Sequence, residues 1–266
     1  MATNKKILEA MEPKKAIDVL VGEMIRGERS ICSVNGKLKK SGKVSVKTIG
    51  LTLAPATDSV PFGGRDMCPM AGECAKACLK YSGHNVLAYN RLVQIARTIA
   101  YTSEAKLFLA QVEREVLSHI RYCEKRDVVP AMRANVMSDQ IKLSRHFAKR
   151  FPELRVYDYT KIVKSLRSSA NPTNLHLTLS RDERNERQAL ELLNEGYNVA
   201  VVFDSQSLPD IWKGYPVIDG DDHDVRFLDA PGHVVGLRLK GTKEAKKAAI
   251  DSGFAVSVRS ALRIVA

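Results

Sequence analysis

Three of the chain's five cysteines, Cys68, Cys74 and Cys78, crowd into the stretch "CPMAGECAKAC", and His84 follows shortly after. Thiolates are soft ligands that bind iron and zinc strongly, so three on one glycine- and proline-bearing loop can converge on one inorganic centre. Two centres suit the spacing C-x5-C-x3-C. In the first, the thiolates hold three irons of a [4Fe–4S] cluster; without a fourth protein thiolate, the last iron is open to a small molecule. In the second, His84 is the fourth ligand of a closed Cys3His zinc centre with a structural role. Disulfides are not expected, because an odd number of cysteines leaves a thiol over. The N-terminus "MATNKKILEAMEPKK" carries no secretory signal, which points to a reducing, cytoplasmic compartment. Cys32 and Cys123 read as ordinary buried or partly buried thiols.

Elements that alternate in period must position this loop. From "VSVKTIGLTLAP" onward, strand-like runs ("DVVPAMRANVM", "LRVYDYT", "NLHLTLS", "NVAVVFD") alternate with amphipathic ones ("SDQIKLSRHFAKRF", "KIVKSLRSSA", "RDERNERQALELLNEG"). A long apolar stripe between residues 85 and 123 predicts two helices, with Ser103 as N-cap of the second and the cysteine loop before the first. Gly196 predicts a helix stop. Strand and helix in alternation predict parallel βαβ units. The fold expected is α/β: one domain over residues 46–266, a complete or partial TIM-type barrel with the cysteine loop after its first strand. A basic arm or cap covers residues 1–45. No G-x-G-x-x-G turn favours an open dinucleotide-binding sheet.

In such folds ligands meet the C-terminal ends of the strands. Those ends carry Arg133, Asn135, Ser138 and Asp139, then Asp158, Thr160 and Lys161, then Ser180 and Arg181, and finally Asp204. Asp139, Asp158 and Asp204 are the candidate catalytic carboxylates; the others are candidate substrate contacts. Ser138, Asp139 and Ser180 also suit helix N-caps. Arg133, Asn135 and Asp158 lie inside strand-like sequence, where a charge must be paired or face a polar cavity. The acidic run "VIDGDDHDVRFLD" lacks the order of a calcium loop and reads as a solvated turn, with a place at the mouth of the site for Asp219 or Asp222 as the alternative.

Lysine and arginine number 42 against 30 acids, a formal net charge of +12. That surplus attracts polyanions, so a nucleic acid or nucleotide is the expected partner. No run reaches the roughly 18 apolar residues of a membrane span. Nothing in the sequence fixes an oligomeric state.

The placement of the cysteines after the first strand resembles the cluster loop of radical S-adenosylmethionine enzymes, whose usual spacing is C-x3-C-x2-C. The sequence is closer to a group of bacteriophage proteins with a three-cysteine motif, matched here by "CPMAGECAKAC". "LTLAP", "RTIAYTS", "NVMSD", "YDYTK", "LTLSR" and "NVAVVF" are shared with that group as well, over roughly residues 46 to 240. The resemblance implies a phage origin and thus the cytoplasm of an infected host. By analogy with the radical-enzyme barrels it implies that Cys68, Cys74 and Cys78 ligate a cluster, with S-adenosylmethionine as cosubstrate. His84 lies outside the shared pattern, which favours iron–sulfur over zinc.

Three functions follow as expectations. The first is a radical-type barrel enzyme modifying nucleic acid or a nucleotide, with Arg145, Lys149, Lys164, Arg167, Arg184 and Arg187 carrying phosphates. The second resembles the guanine transglycosylases, zinc-containing barrels that exchange bases, with Asp204 as nucleophile and Asp139 as acid/base. The third is a non-enzymatic, basic protein that binds nucleic acid or a host factor and uses zinc structurally.

Overall fold

The computed structural model describes residues 1–258. Helices α1 (Lys5–Ala10), α2 (Pro13–Ile25) and the one-turn α3 (Gly36–Lys39) precede the first strand, β1 (Val46–Gly50). Pro13 opens α2, where its missing N–H is no loss, and the Glu12 side chain accepts from the Lys15 N–H to cap it. The segment before β1 is folded, and Leu8, Ile17, Leu20, Met24 and Ile31 share one core with the strands and helices that follow.

After the cysteine loop come α4 (Ala88–Ser103) and α5 (Ala105–Glu124). The α/β alternation then runs β2 (Val129–Arg133), α6 (Ile141–Arg150), β3 (Arg155–Thr160), α7 (Val163–Leu166), β4 (Leu175–Ser180), α8 (Glu186–Asn194) and β5 (Val199–Phe203). Two short strands, β6 (Ile211–Trp212) and β7 (Tyr215–Asp219), precede β8 (Val234–Arg238) and α9 (Lys243–Asp251). Gly196 does end α8, at φ +87°. Ser103 does not cap α5: the junction residue is Glu104, and Ser103 Oγ donates back to the Ile99 carbonyl at 2.8 Å. The stretch expected to be a full helix at "KIVKSLRSSA" keeps one turn.

The sheet order is β1-β2-β3-β4-β5-β8-β7-β6. Strands β1 to β5 each pair in parallel with the next, β5 pairs in parallel with β8 and β8 with β7, and only β6 is antiparallel. Successive crossovers therefore advance one strand at a time, with no reversal of direction among the first five. The complete barrel is corrected: the sheet is open. One edge is taken at Gly50 by an antiparallel bridge from Ser33, and the other ends in the β6–β7 hairpin, so the two edges never meet.

Pleat alternation sorts the side chains. Met132 and Val156 face the helices, with Phe108, Val116 and Phe147, while Leu179, Val199 and Val201 pack with Leu192 and Leu193 from α8. Ala131 and Tyr157 face the other way, into a smaller core with Val46 and Val225. That second face is covered by the segment after β7, where the Phe227 ring meets the Tyr157 ring edge-on at 5.7 Å.

Candidate functional site

The cysteine loop lies across the C-terminal rim and is tied to the turns after β2 and β4. The Asp139 N–H and Gln140 Nε2 donate to the Met67 carbonyl at 2.9 and 3.1 Å, Cys68 Sγ contacts the Met137 carbonyl at 3.5 Å, and Arg184 Nη2 donates to the Met70 carbonyl at 3.0 Å. Gly72, between Cys68 and Cys74, has φ +52°, and a Cβ there would lie 2.5 Å from the Arg184 guanidinium. The positive φ favours glycine there, while the nearby Arg184 guanidinium, at the end of a flexible side chain, could swing aside.

The three thiols share one neighbourhood. Burial pushes the Cys68 thiol up to about 12, and the nearby Cys78 and Cys74 add to the rise. Burial likewise lifts Cys78 to about 11, with Cys74 contributing, and raises Cys74 against the opposing charge of Lys161. Cys74 packs beside Ala77, Leu239, Ala249 and Phe254. His84 stands apart, exposed on the turn Gly83–Val86, where its carbonyl accepts from Asn90 Nδ2. Among the described residues, no three His, Cys, Asp or Glu side chains form a group able to hold one metal ion.

Around Cys74 the rim is polar. Lys161 Nζ reaches Ser180 Oγ at 3.3 Å and Asp182 at 3.7 Å, and lies 5.2 Å from the centre of the Phe254 ring. The Lys161 N–H donates to Asp139 Oδ2 at 2.9 Å; burial raises the Asp139 carboxyl, while Lys161 and the Thr160 hydroxyl pull it down. Arg181, expected to contact substrate, instead donates to the Gly253 and Phe254 carbonyls and to Glu186. It fastens the segment after α9 to the rim.

Arg133, Asn135, Ser138 and Asp158 form a second, buried cluster. Arg133 Nη1 donates to Asp224 Oδ2 at 3.0 Å, and its Nε lies 3.9 Å from Asp158. Asp158 accepts from the Asn135 N–H at 2.9 Å and from Ser144 Oγ at 2.8 Å; Asn135 Oδ1 accepts from Ser138 Oγ at 2.8 Å. Burial pushes the Asp158 carboxyl up to about 6 against the pull of Arg133 and these donors. The groups bond largely to one another beneath the rim, and Arg133 Nε is left without a hydrogen-bond partner among the described residues.

Asp224 corrects the sequence view of the acidic run. It is 0% exposed, and Lys37 Nζ holds its other oxygen at 3.0 Å. Burial alone would raise its carboxyl, but Arg133 and Lys37 hold it below the usual range. Asp219 and Asp221 are clipped by Arg238 and Lys240, and Asp222 pairs with Lys43 at 2.8 Å. The run is a charged strap across the second face of the sheet. Parity was the missed signal for Asp158: it alternates with Tyr157 and so shares the helix-facing side with Val156, toward Ser144 of α6.

Asp204 is exposed at the end of β5, its backbone N–H bonded to the Val256 carbonyl. The turn bearing Asp139 follows β2, three strand positions away, which at ~4.8 Å per step is roughly 14 Å. Among the expected phosphate carriers, Arg167, Arg184 and Arg187 are paired with Glu195, Asp182 and Glu191. Two clefts, of about 260 and 270 Å³, open at the N-terminal ends of the strands, away from the thiols. No helix among the described residues is long and apolar enough to cross a membrane.

A sequence-family model described as gene product 88 matches residues 28–257. No curated protein and no solved structure matches the chain.

Proposed function

This chain belongs to the gene product 88 family, and from that premise we propose a phage-type enzyme whose Cys68, Cys74 and Cys78 hold an iron–sulfur cluster above the ends of an incomplete barrel. Its substrate is a nucleic acid or nucleotide. The observation that carries this proposal is the common neighbourhood of the three thiols, on a loop fastened to the strand ends that carry Lys161, Asp139 and Asp182. Strand order supports the incomplete barrel, since β1 to β5 are wound one after another.

A cluster and a single ion would ask different spacings of the same donors. In a cluster each thiolate binds a different iron, so its sulfurs stand farther apart than those around one zinc. His84, the fourth ligand a Cys3His zinc site would need, is exposed on its own turn. Burial keeps all three thiols protonated at neutral pH, so loading a metal there releases protons.

Held by Cys68, Cys74 and Cys78, a cluster would supply single electrons, and by analogy with the radical enzymes it would act with S-adenosylmethionine as cosubstrate. The chain's own residues orient the substrate. Lys161 places a cation between Ser180 and Asp182 beside Cys74, suited to a phosphate or a ring carbonyl. Asp139, with its carboxyl raised by burial, is placed to accept or return a proton. Base exchange by Asp204 and Asp139 is less favoured, because the two carboxylates belong to strand ends three positions apart.

Anaerobic purification with iron and acid-labile sulfide analysis tests the proposal. Iron and sulfide should appear in stoichiometric amounts, with visible absorbance bleached by dithionite. Cys68→Ser, Cys74→Ser and Cys78→Ser should each abolish it, whereas His84→Ala should not. Stoichiometric zinc in a colourless protein would refute it.

A further inference from the structure

The smaller of the two clefts lies at the opposite end of the sheet from the thiols, between the turn before β1 and the turn before β2. It has about 260 Å³ of space, and its wall includes Lys39, Lys47, Arg126, Tyr122, Ser45 and Thr48 but no carboxylate. We propose that this cleft is a phosphate-binding site, its ligand the phosphate of a nucleotide or of a nucleic-acid backbone.

Charge is the first support. None of Lys39, Lys47 and Arg126 has an ion-pair partner among the described residues, whereas most cations around the cysteine rim are paired. Three unneutralised cations facing one concavity make a local positive field. A dianionic group entering it exchanges diffuse counterions for fixed ones.

Order is the second. The Arg126 guanidinium sits 3.7 Å from the centre of the Tyr122 ring and the Lys47 ammonium 4.7 Å from it. Lys47 Nζ also reaches the Tyr122 hydroxyl at 3.5 Å. One aromatic ring therefore holds two flexible cations in place before a ligand arrives, which lowers the entropy lost on binding. Thr48 is buried, and its hydroxyl accepts from the Tyr157 hydroxyl at 3.2 Å on the face of the sheet opposite Lys47, which anchors β1 beneath the cleft.

Backbone conformation is the third. Only four non-glycine residues in the described chain have positive φ, and two of them, Ser45 at 53° and Asp127 at 51°, lie in the two turns that frame this cleft. The bond from the Val129 N–H to the Ser45 carbonyl, at 3.0 Å, joins those turns. Both close helix C-termini: the Ser45 N–H bonds the Ser41 carbonyl, and the Asp127 and Val128 N–H groups bond the Glu124 and Cys123 carbonyls to close α5, which fixes the course of the two turns along the cleft.

The site is independent of whether the thiols bind iron. Its test uses the full chain at low salt, with a labelled short single-stranded DNA followed by fluorescence anisotropy and a nucleoside monophosphate and inorganic phosphate as competitors. Lys47→Gln and Arg126→Gln should each weaken binding about fivefold or more. In the DNA arm, each should also reduce the salt slope by about one. Lys106→Gln, which removes an exposed charge elsewhere, should change affinity less than twofold. Competition by monophosphate and inorganic phosphate assigns the site to free nucleotides; binding of DNA without such competition assigns it to a backbone. Two results overturn the proposal: no saturable binding of any of the three probes, or equal losses in Lys106→Gln and the cleft variants. The variants are surface changes, and chemical-shift changes at Tyr122 in the unaltered protein provide a readout free of any folding defect.

Discussion

Replacing Asp224 by Asn removes one negative charge from a place where two cations depend on it. Arg133 Nη1 lies 3.0 Å from one carboxylate oxygen and Lys37 Nζ 3.0 Å from the other, and the carboxylate is fully buried. At an effective dielectric of about 20, each contact carries roughly 5 kcal/mol of Coulomb attraction, most of it offset by the desolvation of the charges. Removing one partner leaves that desolvation uncompensated, which costs about 3–5 kcal/mol. Arg133 keeps Asp158 at 3.9 Å as a fallback, while Lys37 keeps a cation–π contact over the Tyr159 ring, 5.5 Å from its centre. The lower half of the range therefore belongs to Asp224→Asn, and about 3 kcal/mol lowers the melting temperature of a chain this size by roughly 6–12 °C. Urea unfolding of the wild type, Asp224→Asn, Lys37→Met and the double variant measures the loss and its coupling. Lys247 and Asp251 are in contact but 76% and 58% exposed, so Asp251→Asn is the control and should cost less than about 1 kcal/mol. A loss at Asp224 as small as the control, or zero coupling to Lys37, would refute the view that burial rather than distance sets the strength of this pair.

Acid should act on His176. Burial, with the charge of Arg226, pushes its imidazole down to about 4, so the unfolded chain binds a proton below about 6.5 that the folded chain refuses. The associated stability is complete above pH ~6.5 and is lost as pH falls toward ~4, by at most about 3 kcal/mol. Asp158 and Asp229, both raised to about 6, act with the opposite sign in the same window; their carboxyls favour the folded state as they protonate. His176→Gln should therefore gain stability relative to the wild type on acidification, seen as a converging or crossing pair of melting curves between pH ~7 and ~4.5. A constant difference would contradict this assignment. A third expectation concerns the segment after α9. Phe254→Ala removes a ring that packs against Cys74's neighbours and lies over Lys161. If local opening becomes about 2 kcal/mol easier, alkylation of Cys74 in metal-free protein should speed up roughly 30-fold, with buried Cys123 unchanged. Parallel acceleration of both thiols would mean global loosening instead.

Much of the framework was legible because βα alternation leaves a local mark. The apolar runs at β2, β3, β4 and β5 stand between amphipathic stretches, and each became a strand in parallel register with the next. Openness was not legible, since closure depends on whether the last strands return to β1, and Ser33 and the β6–β7 hairpin occupy those edges instead. The rule that a charge in a strand needs a partner held for Arg133 and Asp158, but the partner Asp224 is distant in sequence and sits in a run whose composition resembles a solvated turn. Ser180, Lys161, Thr160 and Asp139 gathered beside Cys74 because strand ends in a parallel sheet share one rim. Lys39, Lys47 and Arg126 were not legible as a group because they belong to α3, β1 and the turn after α5, and the β1–β2 pairing brings these elements together at the opposite rim.

The fastening of Phe254 over the cysteine loop has a consequence for synthesis. Cys74 emerges from the ribosome some 180 residues before Phe254 and Arg181's two carbonyl partners, Gly253 and Phe254. At about 5–20 residues per second, that is an interval of roughly 10–40 s during which the loop has no lid. A nascent chain thus leaves Cys74 without this cover until Phe254 has emerged, so its thiol meets reagents such as oxidants before the segment after α9 packs beside it.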